Sequence, residues 1–359
     1  MINKFNKLKK FWKNKKIFIT GHNGFKGSWL TIIFHLLGAK VYGYSLKKKN
    51  LSLYNIAQLD KIVTKSTIGD VRNFEKLKKN ISVCSPDFLI HLAAQPLVRY
   101  SYDKPKYTYE VNSSGTLNVL EISRQIKSIK NILIITTDKV YKNINKKNFF
   151  YENDELGGDD PYSNSKACAE LICHSYFTSF FVNQKKSCVT ARAGNVIGGG
   201  DFAKNRIVPD FFRALKSKKI LSLRYPNAIR PWQHVIEPLY GYILLLMYIS
   251  KKKSVSGSWN FGPQKSNNIK VKKVISVLNN SFNNSVKVIE QYNKHNQYKE
   301  SEILKLSSKK SLETLGWKPK YNIYKSLKLI SEWEKFYSKN KNNILDFTKK
   351  QIIDYINQF

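Results

Sequence analysis

In the run YSNSK, Tyr162 and Lys166 stand at i and i+4, which on a helix puts a phenol and an ammonium on one face. A phenol titrates near ~10 unaided, so it works as a base at neutral pH only with a cation beside it. Such a pair could take the proton from an alcohol while hydride leaves the same carbon. A second stretch, TTDKVY (136–141), follows the apolar run NILII and supplies Thr137, Asp138 and Lys139. The polar end of a buried strand is where open α/β sheets gather catalytic groups. Lys139 is there either as a solvated loop charge or as a base held beside a substrate.

Upstream, TGHNGFKGSW spaces Gly21, Gly24 and Gly27 between an apolar strand and a helix. Glycines at these places permit a tight turn and let backbone N–H groups approach a pyrophosphate at the helix N-terminus. A glycine trio can also be a packing turn; its strand–loop–helix setting is what favours a dinucleotide. Dinucleotide sites often carry an acid after the second strand for the ribose 2′-OH. Here that place reads Tyr44, Ser45, Leu46, then Lys47 to Lys49, which leaves the choice between NAD and NADP open.

The elements that must position these groups alternate strand and helix. KIFIT (16–20), KVYGYSL (40–46), DFLIHLAA (87–94), NILIITTD (131–138) and SCVTARAGNVIGGG (187–200) read as strands. SWLTIIFHLLG, YEVNSSGTLNVLEISRQ (109–125) and PYSNSKACAELICHSYF (161–177) read as helices, the last with Pro161 at its start, where a missing N–H costs nothing. Parallel strands joined by helical crossovers imply an α/β fold, a Rossmann-like doubly wound parallel sheet. Residues 1–190 are expected to form the dinucleotide-binding domain, with later elements near 228–262. Residues 191–345 form a smaller, interleaved substrate-binding lobe. NAIRPWQHVIEPL (227–239) and GSWNFGP (257–263) belong to the irregular part, and the tail from about 340 is polar with one amphipathic stretch.

The formal net charge of +37 first suggests nucleic acid or an anionic surface. The cations are mostly lysines scattered among Asn and Ile, whereas phosphate and base recognition favours clustered Arg. No nucleic-acid partner is expected, although the potential could gather a diphosphate substrate. GYILLLMYIS (241–250) is too short to span a bilayer and reads as a core helix. No signal-type apolar region follows the basic N-terminus. Cys84, Cys168, Cys173 and Cys188 form no CxxC pair and no metal spacing with His, so reduced thiols, a cytoplasmic location and no metal are expected.

The TGxxGxxG loop, GDVRN (69–73), HLAAQ (91–95) and YSNSK together resemble the extended short-chain dehydrogenase/reductase family. GHNGFKGSWL, HLAAQPLVRYSY, LGGDDPYSNSKACAEL, ARAGNVIGGGDFAKNRIVPD and IRPWQHVIEPLYGYILL resemble, within it, the sugar-nucleotide 4,6-dehydratases that act on CDP-glucose. LGWKPKYNIYKSLK (315–328) is similar to the family's C-terminal segment, and Phe202 departs from the Trp expected at its place. The resemblance implies a bound NAD held by Gly21, Asn23, Gly24, Phe25, Gly27, Asp70, Val71, Ala93, Tyr162 and Lys166, with Asp70 near the adenine. It implies that Thr137 bonds the reacting sugar oxygen, Asp138 protonates the departing C6 hydroxyl, and Lys139 takes the C5 proton. It assigns Asn195, Arg206, Arg230 and Asn260 to the substrate, Arg230 offering a planar fork to the diphosphate. Arg192 could instead be structural, and His234 packed.

The reaction so implied turns CDP-D-glucose into CDP-4-dehydro-6-deoxy-D-glucose and water, for deoxysugars of surface polysaccharide such as O-antigen. Oxidation at C4 makes the C5 proton acidic, a base and an acid then expel water, and the hydride returns at C6. The resemblance also implies a homodimer or higher homo-oligomer through helices around 105–125 and 161–180. Other readings are a dehydratase for dTDP-glucose or GDP-mannose, a nucleotide-sugar 4-epimerase, or a basic surface-binding protein. An epimerase needs no acid–base pair at C5 and C6, and a phosphate-backbone binder would lose orders of magnitude of affinity at raised salt.

Overall fold

Strands that are apolar at every position need cover on both faces, and a parallel sheet between two helix layers supplies it. The computed structural model describes residues 4–47, 51–142, 148–291 and 304–359. Lys48 and Lys49 lie outside the described residues. The main sheet contains β1 (Lys16–Thr20), β2 (Lys40–Ser45), β3 (Lys65–Ile68), β4 (Phe88–His91), β5 (Asn131–Ile135) and β6 (Ser187–Ala193). Three short strands leave it, β7 (Asn195–Ile197), β8 (Leu221–Leu223) and β9 (Ile229–His234), before the chain returns as β10 (Ser256–Phe261). The order is β10-β6-β5-β4-β1-β2-β3, and every neighbouring pair is parallel. The chain is therefore a Rossmann-like doubly wound sheet, reversing direction between β1 and β4.

Successive side chains alternate between the two faces, as strand geometry requires. Ile17, Ile19, Phe88, Ile90, Leu133 and Ile135 pack with the helices Phe25–Leu36, Ile236–Ser250 and Ile344–Ile356. Phe18, Leu89, Ile132 and Ile134 pack against Phe74–Cys84, Gly115–Gln125 and Pro161–Tyr176. The helix Ile236–Ser250 is the core helix expected from its apolar run.

Three local readings differ from expectation. Residues 187–200 are not one strand: β6 stops at Ala193, where Gly194 passes close to Pro231, and β7 joins a second sheet of order β11-β9-β7, with β11 at Asn268–Lys270. The stretch 227–239, which looked irregular, is β9 followed by the start of a buried helix. The helix expected over 109–125 widens into an i→i+5 turn at Glu110–Ser114. A last parallel pair joins β8 with β12 (Val288–Glu290).

Candidate active site

One cavity of about 1050 Å³ lies beyond the carboxyl ends of β1, β2, β4 and β5, at the place where the sheet order reverses. Its floor is the glycine loop. Gly21 has φ of +75°, and a Cβ there would lie 2.7 Å from the Ala93 nitrogen; a Cβ on Gly27 would overlap the Gly21 carbonyl oxygen. Side chains there would thus push the loop off the end of β4 and off the start of its own helix, so only glycine lets the backbone pack this closely. Gly24 caps the helix Phe25–Leu36 without a side-chain hydrogen bond, so no side chain occupies the first-turn N–H groups that an anion would use. Asn23 Nδ2 donates to the Leu46 carbonyl at 2.8 Å and ties the loop to the end of β2. Asn23, Phe25, Asp70, Val71 and Ala93 all border the cavity. Asp70 accepts from Arg72 Nη2 at 2.8 Å and Nε at 3.1 Å.

The reacting end is built where β5 stops. Asp138–Val140 is a single tight turn opened by Thr137, whose hydroxyl accepts from the Lys139 N–H at 3.4 Å and donates to Asp138 Oδ1 at 2.9 Å. Thr137, Asp138, Lys139, Tyr162 and Lys166 border the same cavity. Burial pushes the Asp138 carboxyl up, against the Lys139 charge, the Thr137 hydrogen bond and the charges of Arg230 and Lys26. A carboxyl that keeps its proton to higher pH than an ordinary aspartate is better suited to donate one.

The helix Pro161–Tyr176 presents Tyr162 and Lys166 as expected, with Asp160 at its N-cap accepting from the Ser163 N–H at 3.0 Å. Their mutual effect differs from expectation. Burial pushes the Tyr162 phenol up to about 12, with the Thr137 hydroxyl opposing. The Lys166 ammonium donates to the Ile135 carbonyl at 3.0 Å and is pushed down to about 8 by burial. The lysine is anchored on the end of β5 in this arrangement.

Among the residues assigned to substrate, Asn195, Arg206 and Arg230 border the cavity. Arg206 pairs with Asp201 at 3.1 Å. Asn260 does not border it. Its side chain is fully buried, donating to the Phe150 carbonyl at 3.1 Å and accepting from the Tyr141 hydroxyl at 2.7 Å. On β10 it lies opposite Arg192 of β6, and both belong to the packing behind the site. Sequence reasoning passed over Lys26, a cation inside the glycine loop that faces the cavity 3.4 Å from the Tyr242 hydroxyl. It also passed over Glu170, which continues the Tyr162–Lys166 stripe by one more turn and accepts from Thr136 at 2.5 Å. The signal for Glu170 was the i+4 spacing itself.

The family described as GDP-mannose 4,6 dehydratase matches residues 18–330. This chain belongs to that family. A CDP-glucose 4,6-dehydratase from Salmonella typhimurium (strain LT2) is 39% identical over 355 residues, 97% of this chain and 98% of that protein. A dTDP-D-glucose 4,6-dehydratase from Dictyostelium discoideum is 31% identical over 231 residues, 57% of this chain and 49% of that one. The fold is shared with a UDP-glucose 4-epimerase from Thermotoga maritima, at TM-score 0.79 and 20% identity over 90% of this chain and 100% of that one. A dTDP-glucose 4,6-dehydratase from Bacillus anthracis, solved with NAD, superposes at TM-score 0.74 and 20% identity over 92% and 99%. The fold is therefore common to a dehydratase and an epimerase. Among the described residues, no cluster of three His, Cys, Asp or Glu could hold a metal, and no helix is long and apolar enough to cross a membrane.

Proposed function

We propose that the chain is an NAD-dependent hydro-lyase that converts CDP-D-glucose to CDP-4-dehydro-6-deoxy-D-glucose and water. The observation that carries this reading is Asp138 and Lys139 bordering the same cavity as Thr137, Tyr162 and Lys166. An oxidation alone needs only the last three; the added carboxylic acid and amine are the groups an elimination uses. The choice of CDP-glucose rests on similarity to the Salmonella enzyme.

The glycine cradle and the uncapped helix start fit a dinucleotide pyrophosphate. NAD bound there supplies the hydride acceptor for C4 and the hydride that returns to C6. Tyr162 takes the proton of the 4-hydroxyl, helped by Thr137, whose hydrogen bond lowers the phenol and which bonds the same oxygen, while Lys166 is held on the end of β5. Once C4 is a ketone, Lys139, as the neutral amine, removes the C5 proton and becomes the ammonium, and Asp138 delivers its proton to O6, so that water leaves. Asn195, Arg206 and Arg230 hold the sugar and diphosphate. The product suits deoxysugar synthesis for surface polysaccharide. The same reading takes the enzyme as a cytoplasmic homo-oligomer, supported by four free cysteines and by the exposed Leu117 and Leu171 on neighbouring helices.

The test is incubation of the purified chain and NAD with CDP-glucose, dTDP-glucose and GDP-mannose in parallel, with products read by mass and NMR. The expected result is a 4-keto-6-deoxy sugar, lighter by one water, from CDP-glucose. An epimerised sugar of unchanged mass would overturn the reading, and dehydration of another nucleotide sugar in preference would overturn the substrate.

A further inference from the structure

The end of β2 carries a charge opposite to the one an NAD site ordinarily uses. The acid that binds a ribose 2′-OH comes about 20 residues beyond the glycine loop, and here that distance reaches Lys47. Ser45, Leu46 and Lys47 border the cavity beside Asn23 and Gly24, so this rim belongs to the dinucleotide site and not to a remote loop.

Its backbone is held in place. His22 bridges two strands, Nδ1 to the Ser45 hydroxyl and Nε2 to the Ser66 hydroxyl, both at 2.8 Å. The Gly21 N–H donates to the Tyr44 carbonyl at 2.8 Å, and Asn23 holds the Leu46 carbonyl. His22 is fully buried and pushed down to about 4, so it is neutral and brings no charge to the rim. Lys47 does.

The carboxylates that border the cavity among the described residues are Asp70, Asp138, Asp201 and Asp210. Asp138 is at the reacting end, Asp201 is paired with Arg206, and Asp210 with Arg213. Asp70, beside the glycine loop, already receives the Arg72 N–H at 2.9 Å as well as the Arg72 guanidinium. Arg72 itself lies over the Tyr107 ring, 4.9 Å from its centroid. No described carboxylate is therefore left uncompensated at this end to repel a second phosphate.

From this geometry we infer that the cofactor site also accepts the 2′-phosphorylated cofactor, NADP, with Lys47 as the cation for the 2′-phosphate. The inference rests on the dinucleotide reading above and extends it. An exposed ion pair is worth a few-fold in affinity, about 0.2–1 kcal/mol, and it opposes the hydration that a doubly charged phosphate gives up. The two cofactors should therefore bind with Kd values within about tenfold of each other, a span of roughly 1.4 kcal/mol.

The experiment is calorimetric titration of the cofactor-stripped full chain with NAD+ and with NADP+, in wild type and in Lys47→Asp. The readout is the ratio of the two Kd values, independent of turnover. Wild type should show a ratio within about tenfold, and Lys47→Asp should shift it against NADP+ by at least about tenfold, since an acid now faces the phosphate. A wild-type ratio beyond tenfold, or a smaller shift in the variant, overturns the inference while NAD+ binding keeps the dinucleotide reading intact. If neither cofactor binds, both fall.

Discussion

Glu170 and Arg192 form a buried two-bond ion pair, Nε to Oε1 at 2.9 Å and Nη2 to Oε2 at 3.0 Å, with neither side chain more than 3% exposed. The carboxylate also accepts from Thr136 and Thr190, each at 2.5 Å, and from Ser258 at 3.1 Å. Thr136 stands between Ile135, whose carbonyl holds Lys166, and Thr137, which opens the turn of Asp138 and Lys139. The pair thus anchors the strand end from which the reacting groups project. Arg192 reaches on to the Tyr141 hydroxyl at 2.8 Å, and Tyr141 to Asn260. This chain links Asn260 to the strand end.

Breaking such a pair from one side should be costly. Glu170→Gln leaves a buried guanidinium uncompensated and should lower unfolding stability by about 3–5 kcal/mol in urea titration. Thr136→Val removes one hydroxyl and should cost about 1.5–3 kcal/mol, the value of a hydrogen bond to a charged group. Because the loosened residue adjoins Thr137, kcat should fall in Thr136→Val while KM stays close to wild type. An unchanged kcat in a folded Thr136→Val enzyme would show that the tether supports the fold alone.

Lys26 makes a prediction about stability and pH. Burial pushes its ammonium down from 10.5 to about 7, aided by the charges of Arg206 and Lys166 and opposed by Asp138. Between those two values the unfolded chain binds a proton that the folded chain has released. Stability from this group therefore rises with pH across that window. Lys166 and Lys186, each pushed down to about 8, add slopes of the same sign. Lys26→Met should flatten its share of the rise and stabilise the protein near pH 7 by about 1–3 kcal/mol, a discounted figure for a partly accessible group. Unfolding curves from pH 7 to 10 on both proteins check the sign and the slope.

Apolar runs made the main sheet legible: IFI within KIFIT and ILII within NILII needed burial on both faces, and a parallel sheet provides it. This signal missed β3, because KSTI is polar and joins the edge through backbone bonds to β2. It missed the helix Lys4–Trp12, whose inward face is only Leu8 and Trp12 among lysines. The site was legible where chemistry imposes spacing, as in the glycine loop and Tyr162–Lys166. The direction of Asn260 was not legible, because motif likeness carries none: the side chain turns to Tyr141 and Phe150 behind the cavity. The raised phenol of Tyr162 was also out of reach, since burial is a property of the packed helix and not of the YxxxK spacing.

Asp138 should show its acid role in the pH profile of elimination. Its carboxyl is raised by burial, so it stays protonated to higher pH than an ordinary aspartate. The elimination step should therefore fall as pH rises through that raised value, because the proton owed to O6 is lost. Asp138→Asn cannot supply that proton. It should still exchange the C5 hydrogen with heavy water, while loss of the 6-hydroxyl slows by at least about 100-fold, the lower range for a general acid. Exchange and elimination slowing together would assign Asp138 to the C5 step instead.

Lys139 is a residue on which the dehydratase reading turns, because with Asp138 it separates an elimination from an oxidation at the same cavity. Lys139→Met keeps Tyr162, Lys166 and Thr137, so a single turnover should still oxidise C4 and accumulate reduced cofactor in the near-ultraviolet. C5 exchange with heavy water and loss of the 6-hydroxyl should both slow by at least about 100-fold. Tyr162→Phe should block the first hydride step and show no near-ultraviolet rise. Folding must be checked in both, since Asp138 Oδ2 has no hydrogen-bond partner among the described residues and removing the adjacent charge pushes that carboxyl further up. A protonated Asp138 would still be competent to serve O6, so the defect in Lys139→Met should sit at C5. Normal exchange and elimination in a folded Lys139→Met enzyme would make Lys139 a loop charge and transfer the base to another group on the cavity wall.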